Sequence, residues 1–319
     1  CQHRQNHRII KVEDKIADLD FVRHTRLSSY VANHPAVADQ ALPGDVADGV
    51  GDGFSSWAEK AINHEVWTTI EQARQKERVS MQQLKQLPLW QKERVSFKKA
   101  LLQKGHGIIA EFKRKSPSKG LINSKADPAA TGTAYEAAGV AAMSVLTDHD
   151  FFGGTAADLQ AVRKVVHIPL LRKDFMLDEY QLHEARAWGA DVVLLIAAAL
   201  PADRLKTLAA EARELGLEVL LEVHNKEELD RCLCDAVDVV GINNRNLKTF
   251  EVSVQTSIEL GRHIPQDVLK ISESGISDPQ TVHMLASQGF RGFLMGENFM
   301  KQPDPGLACQ SFIAMLNAS

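Results

Sequence analysis

Five charged side chains close short apolar runs, where a folded chain could gather them. Glu111 and Lys113 follow Ile108-Ile109-Ala110, and Lys173 follows Leu170-Leu171-Arg172. Glu222 follows Val219-Leu220-Leu221, and Glu273 closes Leu269-Lys270-Ile271-Ser272. Three carboxylates and two ammonium groups in one partly desolvated cleft would shift one another's proton affinities. Such a set suits proton transfer in both directions. Asn243, at the end of another apolar run, adds an amide that can hydrogen-bond hydroxyl groups. A second group has the character of an anion site. Ser274-Gly275 follows Glu273, and Gly296-Glu297 follows the last apolar run, opening a short helical stretch. Glycines let backbone N–H groups approach a phosphate, and a helix start adds the positive end of its dipole. Arg245 and Ser116 are candidate side-chain donors. The Glu297 carboxylate would repel a phosphate, so its N–H is expected to face inward and its side chain away.

These residues act together only if the strand ends share one mouth. From residue 108 onward, short apolar runs alternate with amphipathic stretches. Strands are expected over 108–112, 141–146, 168–171, 191–196, 217–222, 237–242, 269–273 and 292–295. Helices are expected over 127–138, 156–165, 178–188, 202–215, 226–233, 254–262, 279–287 and 305–316, several closed by glycine. Strands that read as near-continuous apolar runs are those of a parallel sheet buried on both faces. Eight strand–helix units are the arithmetic of an α/β fold, the (β/α)8 TIM barrel, whose active sites lie at the C-terminal ends of the strands. An open doubly wound sheet is the competing fold. It would carry a glycine-rich turn after its first strand, and the turn here reads Lys113-Arg114-Lys115-Ser116-Pro117-Ser118.

Upstream, Val66, Ile70 and Ala73 recur at helical spacing, and a second short helix is expected over 81–87, ending before Pro88. These are extra N-terminal helices before strand 1, with Trp67 and Trp90 packing against the barrel. The expected domains are an N-terminal extension, 1–60, and a catalytic barrel domain, 61–319. The extension is expected to be poorly ordered, since 43–53 is rich in Pro, Gly and Asp.

The 319 residues are 44% hydrophobic and 24% charged, which excludes wholesale disorder. A net charge of −4 argues against a nucleic-acid-coating surface. No apolar run is long enough for a membrane span, and no signal peptide is expected. Four cysteines in a chain this long do not make a disulfide scaffold, so a cytoplasmic, reducing location is expected. Cys232-x-Cys234 has no partner pair, and His149-Asp150 is an isolated metal suggestion, so no metal is expected.

Several segments resemble the indole-3-glycerol phosphate synthase family. They are Ile109-Ala110-Glu111-Phe112-Lys113-Arg114-Lys115-Ser116-Pro117-Ser118, Ser144-Val145-Leu146-Thr147-Asp148 with Phe151-Phe152-Gly153-Gly154, and Leu171-Arg172-Lys173-Asp174-Phe175. Glu222-Val223-His224-Asn225, Gly241-Ile242-Asn243-Asn244-Arg245-Asn246-Leu247 and Ser272-Glu273-Ser274-Gly275-Ile276 follow in order. The resemblance runs from about residue 63 onward and is to the monofunctional form. It implies a lyase of tryptophan biosynthesis acting on 1-(2-carboxyphenylamino)-1-deoxyribulose 5-phosphate. The ring carbon bearing the carboxylate attacks the ribulose carbonyl, CO2 leaves, then water leaves. No metal or organic cofactor is implied.

The resemblance makes Lys173 the main general acid, oriented by Asp174. Lys113 holds the substrate carboxylate, with proton donation as an alternative role. Glu222 is the leading base for dehydration. Glu111 and Glu273 position lysines and hydroxyls, and Asn243 bonds hydroxyls. Pro117, Phe152, Phe175 and Leu194 are the candidate apolar walls for the anthranilate ring, with Trp67 as a further border. The expected partner is a small phosphorylated substrate, with neither nucleic acid nor membrane, and a monomer or weak homodimer. A different phosphate-handling barrel enzyme and a non-enzymatic role carried by residues 1–60 are the competing readings.

Overall fold

The computed structural model describes residues 76, 78–103, 105–246 and 249–318, which lie within one compact unit, Glu71–Ser319. The expected extension, the helix through Val66, Ile70 and Ala73, and Trp67 lie outside the described residues.

Eight parallel strands close into a barrel: β1 Ile108–Phe112, β2 Ala142–Leu146, β3 Leu170–Lys173, β4 Val192–Ile196, β5 Glu218–Val223, β6 Val239–Asn243, β7 Leu269–Glu273 and β8 Gly292–Met295. Each strand pairs with its sequence neighbours, and β8 pairs with β1 to close the ring. The expected strands are all present. The third begins two residues later than expected, because Pro169 has no N–H to give a ladder and the first strand N–H, that of Leu170, bonds the Asp191 carboxylate at 2.9 Å.

Successive strand residues point to opposite faces, and the two faces have different cores. Ile109, Ala142, Leu171, Val192, Leu194, Leu220, Val239, Ile271 and Leu294 cluster together inside the barrel. The intervening positions, such as Ile108, Val193, Leu221 and Val240, pack outward with the helices. Two residues beyond each inward position comes the next inward position. Glu111, Lys173, Glu222 and Glu273 therefore stand above Ile109, Leu171, Leu220 and Ile271, at the C-terminal mouth. The strand period delivers the charges there, while the apolar layer excludes water beneath them.

Helix α1 (Met81–Leu84) is N-capped by Ser80 in a capping box. Beside it, Trp90 stacks on His183 with ring centroids 5.6 Å apart and packs with Leu84, Tyr180 and Ala187. Helix α2 (Phe97–Gln103) was not foreseen from sequence. Its Phe97 and Leu101 join the interior cluster and close the end of the barrel opposite the mouth. Two carboxylates, half-buried Glu218 and buried Asp191, secure this segment. Glu218 accepts from Ser96 Oγ at 2.5 Å and Lys98 N at 2.8 Å. Asp191 accepts from Val95 N and Arg163, both at 2.8 Å.

The outer helices are α3 Pro128–Ala138, α4 His149–Phe152, α5 Ala156–Arg163, α6 Glu179–Trp188, α7 Ala202–Glu214, α8 Lys226–Cys232, α9 Gln255–Leu260, α10 Pro279–Ser287, α11 Glu297–Met300 and α12 Pro305–Ala318. Asp127, Thr155, Asp178, Asn225 and Asp278 accept N–H bonds as N-caps, so polar residues just before apolar-faced segments mark the helix starts.

Candidate active site

Lys173 sits at the centre of the mouth. Its Nζ lies 2.8 Å from Glu273 Oε2 and 3.3 Å from Glu222 Oε2. Asn243 donates to Glu222 Oε1 at 3.1 Å. Lys113 Nζ lies 2.8 Å from Glu111 Oε1. The six residues expected to do the chemistry are thus brought together as two linked clusters from strands β1, β3, β5, β6 and β7. Asp174 is a correction: its carboxylate does not orient Lys173. It accepts from Thr147 at 2.5 Å and from Arg172 at 3.0 Å, facing the helix layer. Glu222 and Glu273 hold Lys173 instead.

Two glycines make room for the carboxylates. A Cβ on Gly241 would lie 2.3 Å from Glu273 Oε1, and one on Gly296 would lie 2.5 Å from Glu111 Oε1. Neither position requires glycine for turn geometry alone; the close approach of a carboxylate side chain is the reason. Glu111 Oε2 and Glu273 Oε1 are buried without a hydrogen-bond partner among the described residues. Leaving a buried acceptor unpaired is costly, and a bound proton would relieve that cost.

The electrostatics follow from crowding. Burial and the charge of Glu222 push Glu273 up to about 7, although Lys173 opposes the shift. Burial also disfavours ionised Glu222, yet Lys173, His224 and Asn243 outweigh it and hold Glu222 below the usual carboxylate range. Burial alone would discharge Lys173, but Glu273, Glu222 and Glu111 together raise it well above the ordinary lysine value. The site therefore holds a loaded cationic acid beside one ionised carboxylate and one poised near neutrality, a distribution that supports acid and base steps together.

The glycine-bearing loops expected to bind an anion follow strands β7 and β8 at the same mouth. Ser274 and Gly275 are consecutive left-handed residues, with φ 67° and 74°. The Ser274 carbonyl is pinned by Asn244 Nδ2 at 2.9 Å. Asn244 also donates to Ser272 Oγ and accepts from Ser257 N and Oγ. It points away from the barrel interior, opposite to Asn243, and is a positioning residue that sequence reading passed over. Strand alternation across the Asn243-Asn244 pair was the available signal. The loop after β6 folds back through a bridge between Arg245 and Val252, and Val252 packs on Gly275, so Arg245 stands in the loop adjoining the Ser274-Gly275 turn. The Arg245 side chain also donates to the Phe250 carbonyl at 3.4 Å. Gly296 caps α11, which begins at half-buried Glu297. Ser116 sits in a two-residue antiparallel ladder with Gly120, its Oγ buried and without a hydrogen-bond partner among the described residues.

The apolar walls differ from expectation in two places. Leu194 is buried among Leu171 and Leu220, below the charged layer, because Ile196 and not Leu194 is in register with Glu222. Leu194 is floor and Ile196 is the side chain at the level of the charges. Pro117 is exposed at the tip of the ladder rather than lining a wall. Phe175 is half-buried beside Phe151, with centroids 6.3 Å apart, and Phe152 is half-buried on the same one-turn helix α4.

Among the described residues, no group of three or more His, Cys, Asp and Glu side chains is placed to hold a metal ion. His149 and Asp150 pair at 3.2 Å on the exposed surface, and Cys232 and Cys234 are free thiols. Among the same residues no helix is long and apolar enough to cross a membrane.

A closed parallel barrel with paired lysines and carboxylates at its mouth, ringed by glycine-bearing loops after β7 and β8, defines a barrel enzyme for a phosphorylated substrate. The indole-3-glycerol phosphate synthase family model matches residues 60–312. An indole-3-glycerol phosphate synthase of Bacteroides thetaiotaomicron is 51% identical over 239 residues, covering 75% of this chain and 92% of that protein. One from Chromobacterium violaceum is 50% identical over 201 residues, covering 63% of this chain and 76% of that protein. Among solved structures, a chain of the tryptophan synthase a2b2 complex from Pyrococcus furiosus superposes with TM-score 0.51 at 16% identity, covering 68% of this chain and 99% of that one. That likeness concerns the fold alone. The chain belongs to the indole-3-glycerol phosphate synthase family. It is a decarboxylating carbon–carbon lyase that forms indole-3-glycerol phosphate in tryptophan biosynthesis.

Proposed function

We propose that Lys173 is the acid of ring closure and Glu222 the base of dehydration in the conversion of 1-(2-carboxyphenylamino)-1-deoxyribulose 5-phosphate. Attack of the carboxylate-bearing ring carbon on the ribulose carbonyl forms a carbon–carbon bond and places negative charge on the carbonyl oxygen. An ammonium beside that oxygen stabilises the charge and supplies the proton. Lys173, held at 2.8 Å from Glu273 and 3.3 Å from Glu222, is the observation that carries this assignment. Its raised proton affinity keeps it charged until an alkoxide, a stronger base, takes the proton.

The ring carboxylate then leaves as CO2, and its bonding electrons restore the aromatic ring. Dehydration follows: Glu222 removes a proton from the carbon beside the nitrogen while a protonated group delivers a proton to the departing hydroxyl. Glu273, poised near neutrality, and Lys173 are in place for that delivery. No electrons are transferred to or from an outside group, so the scheme calls on no redox cofactor.

Lys113, paired with Glu111, holds the substrate carboxylate near ring-closing geometry, and Asn243 bonds a substrate hydroxyl. Ser274, Gly275, Gly296 and the Glu297 N–H form the phosphate cradle, with Arg245 and Ser116 as donors. Phe152, Phe175 and Ile196 border the aromatic ring over Leu194. Residues 61–319 form the catalytic domain, a reading supported by the family match over 60–312. The enzyme works in the cytoplasm as a monomer or weak homodimer.

The test is turnover by Lys173→Ala, read by indole fluorescence. Loss of about 10²–10⁴-fold in kcat with an unchanged fold is expected for a removed general acid. A folded variant turning over near the wild-type rate overturns the assignment.

A further inference from the structure

Behind Glu222 stands a histidine that the steps above leave unused. His224 lies just past the end of β5, two residues beyond Glu222 and on the same face by strand alternation. Its side chain is 12% exposed. Nδ1 lies 3.3 Å from Glu228 Oε2, and Nε2 lies 3.5 Å from Glu222 Oε1, within ion-pair distance but without a formed hydrogen bond. Glu228 is itself immobilised in the first turn of α8. Its Oε2 accepts the His224 N–H at 2.7 Å, its Oε1 accepts from Asn225 Nδ2 at 2.9 Å, and its own N–H is capped by Asn225 Oδ1 at 2.8 Å. The imidazole is therefore clamped by a fixed carboxylate on one side and faces the proposed base on the other.

Each ring nitrogen meets a carboxylate, so each is served best by carrying a proton. The two oxygens of Glu222 then have distinct neighbours. Oε1 meets Asn243 at 3.1 Å and the His224 ring, while Oε2 meets Lys173 at 3.3 Å.

We propose that His224, braced by Glu228, is a positioning residue that engages Oε1 of Glu222 and leaves Oε2 as the oxygen that exchanges protons with the substrate. This rests on the reading of Glu222 as the base. The charged groups facing the ring are Glu222 and Glu273 from the strands and Glu228 from α8, with Lys173 across Glu222. Burial alone would discharge the ring, but the hydrogen bond to Glu228 and the charges of Glu222, Glu228 and Glu273 outweigh it and raise the ring above the ordinary histidine value. The cation is present below that raised value and is lost as pH climbs through it. Ordering of Glu222, and with it kcat, falls on the alkaline side.

The experiment follows kcat and KM against pH for wild type, His224→Ala, His224→Gln and Glu228→Gln, together with a 15N NMR titration of the His224 ring in the wild-type protein. A misplaced base costs on the order of 10²-fold, so His224→Ala is expected to lose about that in kcat with KM nearly unchanged. His224→Gln, whose amide reaches the Nε2 position without titrating, is expected to recover much of the rate and to lose the His224 alkaline limb. Glu228→Gln is expected to move that limb to lower pH. In the wild type, the ring should titrate above the free imidazole. A ring that titrates below it overturns the proposal, whatever the variants do. So does a folded His224→Ala with wild-type kcat, or an alkaline limb unmoved in both glutamine variants. If Glu222→Gln remains fully active, the base assignment falls, and the NMR titration still reports separately on the clamp.

Discussion

Gly241→Ala adds one methyl group in strand β6, directly against the Glu273 carboxylate. Its backbone φ is not in the left-handed region, so alanine suits the strand locally. The added Cβ would stand 2.3 Å from Glu273 Oε1 and 3.1 Å from Leu220 Cδ1, where ordinary contact begins at 3.4 Å. Relief requires the Glu273 carboxylate to retreat by about 1 Å, since 3.4 − 2.3 is 1.1. That retreat stretches the 2.8 Å contact between Glu273 and Lys173 beyond hydrogen-bond length and lets the ammonium swing toward Glu222. Hydrogen bonds to charged groups contribute about 1.5–3 kcal/mol, and a reacting group misplaced by about 1 Å costs on the order of 10²-fold. We therefore expect kcat to fall by about 10–10²-fold, with a smaller change in KM. Overpacking should lower unfolding stability by about 1–3 kcal/mol. Steady-state indole fluorescence reads the first quantity and urea denaturation the second. A Gly241→Ala enzyme that is folded, and within twofold of wild type in kcat, would refute the claim that Glu273 sets the Lys173 position.

Other substitutions test other layers. Asp191→Ala removes the acceptor of Val95 N, Arg163 and Leu170 N and leaves a buried guanidinium uncompensated, so a loss of about 3–5 kcal/mol is expected by urea titration. An unchanged midpoint would remove that carboxylate from the account of barrel stability. Asp148→Asn keeps an oxygen that can accept the Phe151 N–H. Burial holds the Asp148 proton to about 6 in the folded chain, against 3.8 for the free group, so the wild type loses stability as pH rises through that window. The asparagine variant should gain on wild type in chemical denaturation at pH 8 and lose that advantage at pH 4; the reverse order contradicts the sign. Deleting residues 1–60 should leave kcat within about twofold, because the family match begins at residue 60; a collapse in activity would place part of the site in that segment.

The sequence pattern reached the barrel because two periods dominate it. Apolar runs of strand length, separated by helices with polar N-caps, place all eight strands, and the period of two places Glu111, Lys173, Glu222 and Glu273 at one mouth. What escaped depended on partners distant in sequence. Asp174 lies beside Lys173 in the chain, yet Arg172 draws it outward, and Arg172 is itself held by Glu184 at 3.3 Å and by the Trp188 ring at 4.2 Å. Strand stagger, which one strand's own residues do not encode, puts Ile196 and not Leu194 beside Glu222. Helix α2 has too few residues for a periodic signal, and its anchors, Asp191 and Glu218, are about 100 positions away. The role of His224 required both Glu222 and Glu228 to be placed in space.

The most direct test of the central assignment follows CO2 release and indole fluorescence together in wild type, Lys173→Ala and Glu222→Gln. Lys173 as the acid of ring closure predicts that Lys173→Ala loses both signals in parallel, since no CO2 can leave before the ring closes. Glu222 as the base of dehydration predicts that Glu222→Gln still releases CO2 while indole formation lags. CO2 release at the wild-type rate from a folded Lys173→Ala enzyme would contradict the account at its centre.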